Sequence, residues 1–348
     1  MKRICICGGG SLGHVAAGYL SATGAAEVNL LTRRPEDWSH HINVSLPDGR
    51  TLAGKLSAIS SDPDEAAGQA DIVLLCLPGF AIRPELEKLR GHIRPDAYVG
   101  SVFSSTGFFF EAMKILPESQ PLWGFQRVPF IARTSEYGKA ARLLGYKDSY
   151  SIAVENVCGA AREEFAGWVS AAFGRPVHLL KNMYEASLTN SNPILHTSRL
   201  YSMFHDWTPG KRYGHDILFY EEWDSESAET LIQMDREFFT LLDKLPVTKG
   251  YLPTILDYYG STDAKSLAAK LASIPAFRGI ATPMVNDDSG WIPDFTSRYF
   301  TEDFPFGLRY IRDLGIEKGV FMPVTEKVFR WGTGIFSGKA IGNEPAKL

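Results

Sequence analysis

Gly8, Gly10 and Gly13 stand at G-x-G-x-x-G spacing, between an apolar run over 3–7 and an Ala/Leu-rich segment over 11–20. Read as strand, turn and helix, this order suits a dinucleotide. Gly8 permits the sharp turn, Gly10 lets a pyrophosphate approach the backbone, and Gly13 lets the helix pack closely on the strand. Ser11 and Leu12 complete the loop. The helix start adds N–H groups and a positive dipole end for phosphate. His14, at the head of that helix, is a further candidate for a phosphate contact. A glycine-rich turn without a ligand has the same composition; the strand before it and the helix after it point to the cofactor reading.

Three residues far downstream could do proton and carboxylate chemistry. Asn192-Pro193 offers an N-cap followed by proline at the first helical position, which places His196 in the first turns of a helix. An imidazole held there can exchange protons near neutral pH. Arg298 can grip a carboxylate bidentately, and Asp303 can orient a histidine. A satisfied core histidine, a surface arginine and a helix-capping aspartate are the bland alternatives, and the residues alone leave both sets open.

The elements that must position these groups change character along the chain. Residues 27–35 read as a second strand, at whose end a dinucleotide domain meets the adenosine ribose. Thr32, Arg33 and Arg34 stand there instead of an acidic residue. Paired arginines suit a 2′-phosphate, which favours NADP over NAD. Pro47-Asp48-Gly49 marks a hairpin between residues 44 and 56. Residues 70–79 form an apolar run ending in Pro78-Gly79, which fits a central parallel strand buried on both faces. Leu77 and Pro78, at its carboxyl end, would border the cofactor. Strands over 97–103, 126–130, 150–155 and 176–180 alternate with helices over 84–89, 108–115 and 163–173. Arg127, in the 126–130 segment, is either cleft-facing or exposed. Together they predict a Rossmann-type, doubly wound α/β domain over residues 1–180.

From residue 182 helical periodicity dominates, predicting a mainly α-helical domain over 181–348. A wide apolar side over 225–245 predicts a buried helix and permits a homodimer. A shorter helix spans 263–273. Residues 291–308 mix aromatics and charges as a loop-like segment. Helices over 307–314 and 324–336 close the domain, and a polar tail follows Gly338.

The 348 residues suffice for two domains, and 45% hydrophobic with 22% charged residues describes an ordinary globular protein. A net charge of −4 without a long single-sign block gives no case for nucleic acid. No apolar run reaches membrane-span length. Cys5, Cys7, Cys76 and Cys158 have no convincing zinc spacing and read as buried free thiols in a reducing cytoplasm, with no metal site.

Three separated motifs resemble one family. Residues 4–14, Asn192-Pro-Ile-Leu-His196, and Ser297-Arg-Tyr-Phe-Thr-Glu-Asp-Phe-Pro-Phe-Gly-Leu308 are similar in order and rough spacing to segments of the octopine/nopaline (opine) dehydrogenases, across nearly the whole chain. The third motif is the most specific. The first departs: the family usually has Asn-Gly-Ala where this chain has Ser11-Leu12-Gly13. The resemblance implies a Rossmann domain followed by a 6-phosphogluconate dehydrogenase-like helical domain. It also implies condensation of an amino acid with a 2-oxo acid and reduction of the imine by NAD(P)H. By position, His196 would be the general acid/base, Asp303 its carboxylate, Arg298 the clamp for a substrate carboxylate and Asn192 a substrate contact. The alternatives are a ketopantoate-reductase-like enzyme using a lysine such as Lys181, and a non-catalytic dinucleotide sensor.

Overall fold

The computed structural model describes residues 1–336; the tail read as polar lies outside the described residues. The chain divides into two compact units, Met1–Thr189 and Asn190–Leu348, a division later than the one read at 180/181.

Unit 1 runs β1 (Lys2–Cys7), α1 (Ser11–Ala22), β2 (Ala26–Leu31), β3 (His41–Ser45), β4 (Thr51–Lys55), β5 (Ala58–Ser60), α2 (Pro63–Ala67), β6 (Ile72–Leu75), α3 (Gly79–Leu89), β7 (Tyr98–Ser101) and α4 (Phe108–Ile115). It continues with β8 (Leu122–Phe125), β9 (Phe130–Glu136), β10 (Ala140–Tyr146), β11 (Tyr150–Glu155), α5 (Gly159–Phe173), β12 (Val177–Leu179) and α6 (Met183–Ser187). An 8-stranded sheet has the order β12-β11-β8-β7-β6-β1-β2-β5. The chain reverses its winding between β1 and β6, which is where such sheets place ligands. β6 lies between β1 and β7, and all its residues are buried, hence its unbroken apolar sequence.

The sheet is not wholly parallel. β11 runs antiparallel to β8. A parallel return needs a long crossover, usually helical; here the β9–β10 hairpin fills that connection. This hairpin, absent from the sequence reading, joins the expected β3–β4 hairpin in a 4-stranded sheet of order β4-β3-β10-β9. Residues 126–129, expected to be strand, leave the sheet before β9. Gln126 keeps one ladder bond, its N–H donating to the Ser151 carbonyl at 2.9 Å, while its Nε2 donates to the Glu185 carbonyl at 3.1 Å; beyond it Pro129 has no N–H for a ladder. Arg127 likewise donates to the Thr189 carbonyl, at 2.8 Å.

Unit 2 is mainly helical: α7 (Asn192–Phe204), α8 (Ser225–Leu242), α9 (Ile255–Tyr259), α10 (Ala264–Ser273), a small β13–β14 ladder (Met284–Asn286 and Trp291–Pro293), α11 (Arg298–Thr301), a π-helical turn (Phe304–Leu308), α12 (Arg309–Glu317) and α13 (Pro323–Phe336). The Asp224 carboxylate caps α8 by accepting from the Ser227 N–H at 2.7 Å. Leu231, Ile232, Met234, Phe238, Leu241 and Leu242 are buried, and α8 packs against α7, α10 and α13. The apolar side of α8 is thus largely buried within the unit, with Phe239 half-buried. No helix among the described residues is long and apolar enough to cross a membrane. Cys5, Cys7 and Cys76 are buried free thiols, while Cys158 is free but exposed at the N-cap of α5, contrary to the buried reading.

Candidate active site

The glycine loop of unit 1 has the geometry its spacing implies. Gly8 adopts φ +114°, where a Cβ would come within 2.7 Å of Leu77 Cδ2 and 2.9 Å of the Cys76 carbonyl oxygen. A Cβ on Gly13 would collide with the Gly8 carbonyl oxygen, whereas one on Gly10 would meet nothing within 4 Å. Gly10 is the N-cap of α1 and has no side chain to satisfy the first-turn N–H groups. The residues therefore fit a phosphate group: an open approach, unfilled donors and a positive dipole end.

The other loop residues divide. The Ser11 hydroxyl is committed to β9, accepting from the Thr134 N–H at 3.0 Å and pairing with its hydroxyl at 3.0 Å. Leu12 packs on the core of the unit. Leu77 and Pro78 are half-buried after β6, with Pro78 capping α3. Arg33 and Arg34 are both exposed after β2. Arg34 lies 4.9 Å from the centre of the Tyr137 ring and 3.2 Å from Asp37. Hydrogen bonding to Tyr137, then the charges of Tyr137 and Asp37, raise its guanidinium pKa.

His14 does not serve phosphate. It is wholly buried. Its Nδ1 lies 3.0 Å from the Gly10 carbonyl oxygen, and its Nε2 accepts from the Gly138 N–H at 2.7 Å. Burial lowers its pKa, keeping it neutral, with the proton on Nδ1. It therefore pins the tip of the β9–β10 hairpin to the glycine loop. That tip brings Tyr137 so close that a Cβ on Gly9 would lie 2.7 Å from its hydroxyl oxygen.

In unit 2, His196 and Asp303 meet. His196 Nδ1 is 2.9 Å from Asp303 Oδ2, with side-chain exposures of 11% and 19%. The contact has a local cause. Asp303 immediately precedes the π-helical turn, and Gly307 in that turn sits against Pro193 at the start of α7. A Cβ on Gly307 would lie 2.7 Å from Pro193 Cγ. Phe300 and Phe304 flank the aspartate, are fully buried, and stack with ring centres 5.9 Å apart. Asp303 is held from both sides by core residues. Its side chain makes no capping bond.

Asn192 and Arg298 do not join this pair by any hydrogen bond. Asn192 is exposed and is the first residue of α7, not its cap; Ser191 holds the N-cap position in αR geometry and makes no side-chain cap bond. The expected Asn cap fails because Ser191 already adopts helical backbone angles. Arg298 is exposed at the first position of α11.

Several neighbours escaped the sequence reading. Tyr220 Oη is 3.1 Å from His196 Nε2, so both ring nitrogens of the histidine are engaged. Tyr299 meets the imidazole at a tilt, with ring centres 4.7 Å apart, and Phe219 meets it edge-on at 5.5 Å. Burial pushes the phenols of Tyr220 and Tyr299 up, Tyr220 strongly. Arg199, 2% exposed, follows His196 by nearly one turn of α7. It donates to the carbonyls of Phe219 and Glu222 at 3.2 and 2.7 Å and to the Ser227 hydroxyl at 2.8 Å. Desolvation lowers its pKa, opposed by Asp224 and Glu222. It thereby fixes the segment that carries Tyr220. The sequence signal for this was slight: an arginine amid the apolar positions of a helix.

Known proteins resemble both units. The model for the NAD/NADP octopine/nopaline dehydrogenase α-helical domain matches residues 179–336, and the ketopantoate reductase PanE/ApbA model matches residues 4–105. Tauropine dehydrogenase of Arabella iricolor is 27% identical, covering 98% of this chain and 96% of that protein. Octopine dehydrogenase of Pecten maximus is 24% identical, covering 94% of this chain and 89% of its own length. A solved structure of octopine dehydrogenase with NADH and L-arginine matches with TM-score 0.83 at 23% identity, over 97% of this chain and 90% of that one. The expected pairing of a Rossmann-like α/β domain with a helical domain holds.

Proposed function

We propose that this chain, whose residues 179–336 match the octopine/nopaline dehydrogenase α-helical domain and which resembles tauropine and octopine dehydrogenases along its length, is an oxidoreductase acting on a CH–NH bond. It condenses an amino acid with a 2-oxo acid and reduces the imine, using NADPH in preference to NADH. The observation that carries this reading is the largely buried His196–Asp303 pair, at 2.9 Å, on a domain matched by the family model. Forming an imine requires protons to move near neutral pH, which an imidazole can do. Asp303, an acceptor only, fixes the proton on Nδ1 and steadies the charged ring when Nε2 takes a proton. Arg298 would hold a substrate carboxylate through its forked donors, with Asn192 as a second contact.

A bound nicotinamide cofactor supplies hydride to the imine carbon. Its pyrophosphate would lie on the Gly8–Gly13 loop, bordered by Leu77 and Pro78. Arg33 and Arg34 would recognise a 2′-phosphate, and this supports the NADPH preference. Free, buried Cys5, Cys7 and Cys76 fit a reducing compartment, and we place the enzyme in the cytoplasm.

The ketopantoate-reductase-like reading draws on a model match confined to residues 4–105, and Lys181 is exposed outside that span. The test is a panel of amino acids and 2-oxo acids with NADPH and with NADH. Consumption of cofactor only when both substrates are present supports the proposal, with His196→Ala slower by at least about 100-fold and cofactor affinity retained. Reduction of an oxo acid without an amine would refute the imine chemistry.

A further inference from the structure

His196 has two ring nitrogens, and the fold occupies both. A carboxylate can only accept, so Nδ1 carries the proton toward Asp303 and Nε2 presents its lone pair. The Tyr220 hydroxyl, 3.1 Å away, donates to that lone pair. A substrate therefore cannot take Nε2 directly while Tyr220 holds its place.

The phenol is not built to swing aside. Tyr220 is 6% exposed, and its ring stacks on Phe277 at 4.1 Å and lies nearly parallel to Trp223 at 5.9 Å. Phe219 closes a third side at 4.9 Å, and Arg199 holds the Phe219 carbonyl. A hydroxyl fixed on the active nitrogen of an acid/base pair can still pass a proton, because its oxygen keeps lone pairs to accept one as it gives one.

We propose that Tyr220 relays the proton between the substrate amine and His196 Nε2. The inference rests on the reductive-condensation reading. An amino acid arrives as an ammonium, which has no electron pair to attack a carbonyl. In the relay, one ammonium N–H bond breaks as a new Tyr220 O–H bond forms, and the original Tyr220 O–H bond breaks as Nε2–H forms. His196 becomes an imidazolium beside Asp303, and Tyr220 is regenerated. The amine keeps the freed electron pair and adds it to the oxo carbon. The same path returns the proton to the carbinolamine oxygen when water leaves. Burial suits Tyr220 to this role, because its raised pKa keeps it a phenol between transfers.

The test is Tyr220→Phe, which keeps the ring and removes the hydroxyl, assayed with an active substrate pair across a pH range. At about pH 7 the variant's kcat should fall roughly 100-fold, and the deficit should shrink below about tenfold near pH 9.5, where free amine is abundant. A clamp acting only on structure would give a deficit independent of pH, and that result would overturn the relay. So would an unimpaired variant at pH 7. Should Tyr220→Phe fail to fold, 3-fluorotyrosine at position 220, which keeps the ring contacts but makes the phenol a stronger acid, should change kcat at pH 7, and an unchanged pH profile would overturn the relay. If the wild-type protein consumes cofactor with no amine–oxo acid pair, the proposed function fails and the relay with it. An active wild type with an unaffected variant sinks the relay alone.

Discussion

Asp303→Asn isolates the charge at the acid/base pair from its geometry. The asparagine amide oxygen can still accept from His196 Nδ1, and the flanking Phe300 and Phe304 are untouched. What disappears is the full negative charge beside the imidazolium that forms during proton transfer. Two unit charges about 4 Å apart at an effective dielectric of about 20 attract by about 4 kcal/mol. The Asp303 side chain keeps 19% exposure, so solvent screens part of this, and about 3 kcal/mol is a reasonable share. That share corresponds to a kcat lower by roughly 100-fold. The assay is steady-state cofactor oxidation with a saturating substrate pair, beside direct titration of cofactor binding. The Kd for cofactor should not move, because the dinucleotide residues lie on unit 1. A kcat within about threefold of wild type would refute the assignment of Asp303 as the charge partner of His196.

Arg199→Lys should lower the stability of unit 2 by about 3 kcal/mol or more, because the shorter, single-headed cation cannot reach all of its buried partners and orphaned carbonyls are costly. Urea unfolding followed at a unit 2 tryptophan would measure it, and a loss below about 1 kcal/mol would contradict the role given to this arginine. A pH effect should arise at Asp235, whose carboxyl burial lifts to about 6 while it accepts from the Ile255 N–H at 3.0 Å. A raised carboxyl binds its proton more tightly folded than unfolded. Its stabilising effect is therefore present at low pH and is lost as pH rises from about 4 through about 6. The urea midpoint of the wild type should decline across this window relative to Asp235→Asn, whose amide oxygen still accepts from Ile255; parallel curves would contradict the assignment.

The sequence shows the glycine loop more fully than it shows the His196–Asp303 pair, and the difference is physical. Gly8 and Gly13 are required by contacts with Cys76, Leu77 and Gly8 itself, all near them in the first sheet, so a short motif encodes the turn. β6 is legible for a similar reason: burial on both faces leaves an unbroken apolar run. The β9–β10 hairpin is not legible, because its residues alternate weakly and its pairing with β3 joins segments far apart in the chain. His14 misleads for the same reason, since its partner Gly138 belongs to that hairpin. His196 and Asp303 stand out as candidates by type and by helix position, but their pairing depends on Gly307 meeting Pro193, which no local pattern announces. Tyr220 has no periodic signal at all. It is placed by Arg199, whose hydrogen bonds run to backbone carbonyls and so leave no trace in the identity of Phe219 or Glu222.

That last arrangement bears on how the proposed acid/base site is built. An imidazole on α7 could be oriented by Asp303 alone, leaving Nε2 open to water. Here the same helix supplies Arg199, which fixes the segment carrying the phenol that covers Nε2. One helix therefore sets both hydrogen bonds of the histidine, Asp303 through the Pro193–Gly307 contact and Tyr220 through the buried guanidinium. A shift of α7 would move the histidine, its carboxylate and its phenol together and would leave their mutual distances nearly unchanged. Proton transfer depends steeply on such distances, so if the three groups act as proposed, tying them to one helix would shield their geometry from motions of the rest of the domain. It also explains why a charged side chain is kept in the core of α7, where an apolar residue would pack at lower desolvation cost.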